Sequence, residues 1–144
     1  MAIKRISPGP RLSQAVVHGD TVYVAGQVAA DTSADAGGQT RQILAQIDAL
    51  LAQGGSDKAQ ILWANVWLAD IADFAAMNAA WEAWIPKGQT PARASVEAKL
   101  AGPQYRVEIA CIAARAAQRA AAKRPAARPP KAARASAARK KRRR

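Results

Sequence analysis

The chain has 144 residues, a formal net charge of +12 and an isoelectric point near 10.9, but the charge is segregated. Residues 1–114 carry 9 of the 22 Lys and Arg and all 10 acids, a net of −1, whereas residues 115–144 carry the other 13 basic groups and no acid. One cysteine (Cys111) and one histidine (His18) exclude an intrachain disulfide, a thiolate cluster and a multi-histidine metal centre within one chain. No run approaches the ~18 apolar residues of a membrane span, and the opening MAIKRISPGP lacks the apolar core of a secretory signal. The expectation is a cytoplasmic protein with one near-neutral domain over 1–114, no contact with membrane, and a basic extension over 115–144.

Residues 13–18 (SQAVVH) and 21–28 (TVYVAGQV) are β-rich runs on either side of Gly19-Asp20, a two-residue turn signal, which predicts a hairpin. Residues 29–38 read as a loop ending in Gly37-Gly38. From Gln39 onward, Ile43, Leu44, Ile47, Leu50 and Leu51 form one stripe of an amphipathic helix, closed by Gly54-Gly55. In ILWANVWL (61–68), Ile61, Trp63, Asn65 and Trp67 alternate with Leu62, Ala64, Val66 and Leu68. Both faces of that strand are largely apolar, so it belongs in the middle of a sheet or under a partner subunit. Phe74, Met77, Trp81, Trp84 and Ile85 recur at helical spacing until Pro86 and Gly88 stop the helix. Residues 92–100 and 105–113 are the last two strands, joined through Ala101-Gly102-Pro103.

The order β-β-α-β-α-β-β predicts an α+β domain, a mixed sheet with two helices packed on one face. Four Trp are many for so small a core, and a subunit interface is their simplest place. Beyond Ala114 the composition falls to Ala, Arg, Lys and Pro with no apolar stripe, which predicts a disordered tail.

PARASV (91–96), then Leu100-Ala101, five further residues and Val107-Glu108-Ile109, resembles the C-terminal signature of the Rid family, the YjgF/YER057c/UK114 group. VAGQVA (24–29), QTRQILAQIDALLAQGG (39–55) and VWLADIADFAAMNAAWEAW (66–84) resemble the same family in the same order, so the likeness covers roughly residues 8–114. It implies a chorismate-mutase-like (YjgF-like) fold, a homotrimer with a pocket in each cleft between subunits, and no cofactor. The implied activity is deamination of small enamine and imine acids (2-aminoacrylate, 2-iminopropanoate, 2-iminobutanoate) to 2-oxo acids and ammonia. The family's carboxylate-binding Arg falls on Arg93, its water-positioning Glu on Glu108 and its pocket Asn on Asn78, while the position two after the Arg is Ser95. The chain departs from the family pattern at Arg11-Leu12, where many members carry a Tyr, and at Ala25, where a Ser is common.

The residues fit those roles by themselves. Arg93 and Ser95 point to one side of their strand, with Ala94 and Val96 packing on the other. Glu108 points away from Val107, Ile109 and Cys111 and so leaves the apolar face too. A planar guanidinium holds a carboxylate through two parallel hydrogen bonds, and an imine carbon is already electrophilic enough to need no metal.

Blander readings stand beside these. Arg93 and Glu108 read equally as a structural ion pair, Asn78 as a satisfied packing residue, His18 as an exposed turn residue and Cys111 as a small core residue. Ser95 has no His placed to activate it. The tail, ending in Lys140, Lys141, Arg142, Arg143 and Arg144, reads either as a solvated extension or as an arm for nucleic acid without sequence preference. A non-catalytic protein binding small carboxylates or nucleic acid is therefore the alternative function.

Overall fold

A two-residue turn with Gly19 in the left-handed region (φ 58°) closes the first predicted hairpin. The computed structural model describes residues 1–116, and within them the chain runs β1 (Ile3–Pro8), β2 (Ser13–His18), β3 (Thr21–Gln27), α1 (Ala36–Gly54), β4 (Ile61–Leu68), α2 (Phe74–Trp84), β5 (Ala92–Glu97) and β6 (Val107–Ala114). The strands form one mixed six-stranded sheet in the order β1-β2-β3-β6-β4-β5, in which only β4 and β5 pair in parallel.

Several features differ from the sequence reading. β1 is absent from the predicted elements because it is an edge strand on which only Ile6 turns inward, so its sequence carries no alternation. α1 begins at Ala36 rather than Gln39, because the Asp35 carboxylate accepts the Gly38 N–H at 2.7 Å and so starts a helix through the two glycines. The strand expected over 92–100 stops at Glu97, since its partner β4 ends at Leu68. The last strand, expected over 105–113, runs Val107–Ala114, and β4 lies between it and β5 in the sheet.

The helices cover one face of the sheet. Val22 and Val24 of β3, Ala64, Val66 and Leu68 of β4, and Val107, Ile109 and Cys111 of β6 pack beneath Ile43, Leu44, Ile47 and Leu51 of α1 and Met77 and Trp81 of α2. Burial pushes the Cys111 thiol up to about 12, so it is an inert core residue, as read. The other face of the sheet is bare in the single chain: Tyr23, Trp63 and Val96 are 46%, 39% and 50% exposed. A register shift at Leu62 turns Ile61 inward, so Ile61 does not share the face of Trp63, Asn65 and Trp67.

Backbone bonding continues two residues past Ala114, where Arg115 N–H donates to Asp20 O at 2.7 Å and Ala116 N–H to Gly55 O at 3.0 Å. The Arg115 side chain donates to Gly54 O and Gly19 O, closing the C-terminus of α1 against the β2–β3 turn. The disordered tail expected over 115–144 thus has its first two residues bonded to the domain; its remainder, 117–144 with Lys140, Lys141, Arg142, Arg143 and Arg144, lies outside the described residues.

Candidate active site

Arg93 pairs with Ala64 and Ser95 with Val66, and side chains in such a row share a face of the sheet. Both therefore project onto the helix-covered face, beside α2. The expectation that Ala94 and Val96 pack while Arg93 and Ser95 leave the apolar face is corrected here. β5 is an edge strand, so its helix side opens as a half-covered margin under α2, and Val96 stands on the bare side.

At that margin Arg93 is held from three directions. Its Nη2 donates to Asn78 Oδ1 at 2.7 Å, its Nη1 approaches Met77 Sδ at 3.8 Å, and its guanidinium carbon stands 5.0 Å from the centre of the Trp81 ring. Asn78 and Trp81 lie three residues apart on α2, so one helix face presents both. Burial lowers the Arg93 pKa from its ordinary value, and the nearby Glu82 carboxylate pulls the other way; the group remains cationic. Arg93, Asn78, Trp81, Glu82, Ile85 and Thr90 line a cleft of about 280 Å³. Two residues along, Ser95 Oγ is buried with no hydrogen-bond partner, the one such side-chain atom among the described residues.

Glu108 lies on the other face of the sheet. It pairs with Trp67, out of phase with Val107 and Ile109. β3 bulges between Val24 and Gln27, and a Cβ on Gly26 would collide with the Glu108 carboxylate, so the glycine makes the room that Glu108 occupies. Arg93 and Glu108 thus stand on opposite faces, and the ion-pair reading fails within one chain. Among the described residues the one salt bridge joins Arg106 to Asp73 at 2.8 Å. Asn78 is brought to Arg93 and Ser95 sits beside it, whereas Glu108 is not brought to either. His18 is exposed at its turn, as expected. Sequence reasoning missed Trp81 and Gly26. The first carried a signal, its spacing from Asn78, but read as core; the second showed nothing without the register of β3 against β6.

The profile of the family described as Endoribonuclease L-PSP matches residues 2–115. The chain belongs to this family. A RutC family protein, YoaB of Escherichia coli K12, is 49% identical over 114 residues, spanning 79% of this chain and 99% of its own. A RutC family protein of Haemophilus influenzae is 47% identical over 78% of this chain and 98% of its own. Among solved structures, a YjgF-family protein of Neisseria meningitidis is 45% identical with a TM-score of 0.78, covering 81% of this chain and 97% of its own. A member of the YjgF/YER057c/UK114 family from Mycobacterium tuberculosis is 27% identical with a TM-score of 0.72, covering 78% and 99%. The resemblance read from PARASV and Val107-Glu108-Ile109 therefore holds, and so does the family's mixed sheet with two helices. No described helix is long and apolar enough to cross a membrane.

Proposed function

We propose that the protein is a hydrolase of small 2-imino and enamine acids, releasing a 2-oxo acid and ammonia. The observation that carries this reading is the Arg93 cradle: a partly buried guanidinium fixed by Asn78 and Trp81 and opening on a small cleft. The N–H groups that Arg93 does not use on Asn78 and Met77 take the substrate carboxylate, each charge-assisted bond contributing roughly 1.5–3 kcal/mol. Water adds to the carbon of the protonated imine (C=NH2+) as it gives a proton to a carboxylate, forming the carbinolamine. The carboxylic acid then returns that proton to the carbinolamine NH2, the C–N bond breaks, and the hydroxyl proton passes to the departing ammonia as C=O forms, so the products are the 2-oxo acid and ammonium.

The carboxylate in this reading is Glu108 of a second copy, because a chain's own Glu108 faces the other way. The bare face carrying Tyr23, Trp63, Trp67 and Val96 gives a second and third copy an apolar surface to cover, as a homotrimer with sites between subunits would. The test is release of pyruvate or 2-oxobutanoate from enzymatically generated imines in the presence of wild type or Arg93→Ala. Acceleration by wild type alone supports the reading; no acceleration over buffer by either protein overturns it.

A second reading adds nucleic-acid association through residues 117–144, supported by their segregated charge and by the nuclease description of the family profile. Truncation after Ala116 spares the Arg115 bonds. It should leave imine turnover intact and remove DNA or RNA binding. If about 6–10 phosphates are contacted, that binding weakens by roughly 10³–10⁵ between 50 and 200 mM salt. Salt-insensitive binding, or binding that survives truncation, would sink it.

A further inference from the structure

A second cleft, of about 380 Å³, lies between α1 and α2 and shares no lining residue with the one beside Arg93. Its floor is Ala79, Ala80 and Ala83, whose side chains are too short to fill the trough between the helices. One wall is Trp84, fixed in place by three contacts. Its Nε1–H donates to Asp48 Oδ2 at 2.8 Å, its ring leans on Trp81 at 5.5 Å and 59°, and Lys58 Nζ stands 5.5 Å from its centroid. Arg41 and Lys58 supply the cations, from α1 and from the turn before β4.

Three carboxylates lie near this region, each accepting a neutral N–H rather than pairing with a cation. Asp48 accepts the Trp84 indole N–H, Asp35 beside Arg41 caps the Gly38 N–H, and Asp57 next to Lys58 caps the Ala59 N–H. Neither Arg41 nor Lys58 forms an ion pair among the described residues. A flat apolar trough with a fixed indole wall and two unpaired cations is complementary to a small molecule that is aromatic at one end and anionic at the other. Its volume is within the ordinary range for small-ligand pockets, about 300–1,000 Å³, and far below what a folded partner would need. We propose that this groove binds small aromatic carboxylates, with the ring on the alanine floor against Trp84 and the carboxylate at Arg41 and Lys58.

The test is a titration of the full chain, with its indole nitrogens labelled, against 2-naphthoate up to about 5 mM, the affinity range of a weak small-molecule site. The Trp84 indole resonance, identified by its loss in Trp84→Phe, should shift saturably while those of Trp63 and Trp67 stay in place. The neutral isostere 2-naphthamide, and the Arg41→Gln/Lys58→Gln variant with 2-naphthoate, should each bind at least ~10-fold more weakly. Ala83→Leu, a substitution at an exposed position, should fill the trough and abolish the shift. An absent or unsaturable shift, equal binding of the amide, or a shift that persists in Ala83→Leu would each overturn the proposal.

Discussion

Arg93 and Trp81 are stacked, and the stack does not end with them. The guanidinium lies 5.0 Å from the Trp81 ring, Trp81 leans on Trp84 at 5.5 Å, and Lys58 covers Trp84 at 5.5 Å. An arginine free in solvent must give up much of its rotamer freedom to grip a carboxylate, whereas one held between an indole face and Asn78 has already done so. The aromatic face of α2 therefore fixes the orientation of this cation as well as filling the core.

This arrangement separates charge from shape. Arg93→Ala should lower kcat/KM for imine acids by about 10²–10⁴, the loss of two charge-assisted hydrogen bonds. Arg93→Lys keeps the charge but not the planar fork, and should recover less than about a tenth of wild-type kcat/KM. Trp81→Phe keeps an aromatic face with a weaker cation–π attraction, and should raise KM by roughly 2- to 10-fold with little change in kcat. Wild-type kinetics from Arg93→Lys would show that charge alone suffices.

Gly26 tests Glu108 from behind. A methyl group at Gly26 meets the Glu108 carboxylate and moves it without altering its chemistry. Gly26→Ala should lower kcat by about 10²–10⁴, the usual contribution of a positioned acid–base group. The double variant with Glu108→Gln should be no slower than Glu108→Gln alone, because both changes remove one function. Additive losses in the double variant would mean that Gly26 serves something else.

Gln39 ties together the loop before α1 and the loop between β5 and β6. It is wholly buried; its Nε2 is shared among the carbonyls of Thr32, Ala34 and Gln104, and its Oε1 accepts the Arg106 N–H at 2.9 Å. Gln39→Leu strands those groups in the interior, at a cost of about 1–3 kcal/mol for each that finds no water. Chemical denaturation should show a loss of roughly 2–4 kcal/mol. A loss below half a kcal/mol would mean that the loops close without it.

The elements read most reliably were those whose apolar residues repeat along a single segment: the β2–β3 hairpin, both helices and β4. β1 was hidden because one inward residue, Ile6, makes no pattern, and the start of α1 because Gly37-Gly38 looks like a break until Asp35 caps it. Sheet order was not legible, since nothing local says that β6 inserts between β3 and β4. Alternation gives the relative faces of residues within one strand but not how neighbouring strands are phased. That is why Arg93 and Glu108 read as partners on one side when a single chain holds them on opposite sides.

Their separation makes the shared site testable by mixing. If each cleft joins Arg93 of one copy to Glu108 of another, Arg93→Ala and Glu108→Gln chains are each inactive alone but complement one another. In a closed ring assembled at random from equal amounts, half of the Arg93 donors and half of the Glu108 donors are intact. About a quarter of the clefts then recover both groups, and about a quarter of wild-type activity returns. Trp63→Arg, on the bare sheet face, should reduce the mass measured by sedimentation to that of a single chain and remove turnover with it. No recovery on mixing, from chains shown to exchange, would mean that Arg93 and Glu108 never meet and that the water must be positioned by a group on the α2 side of the sheet.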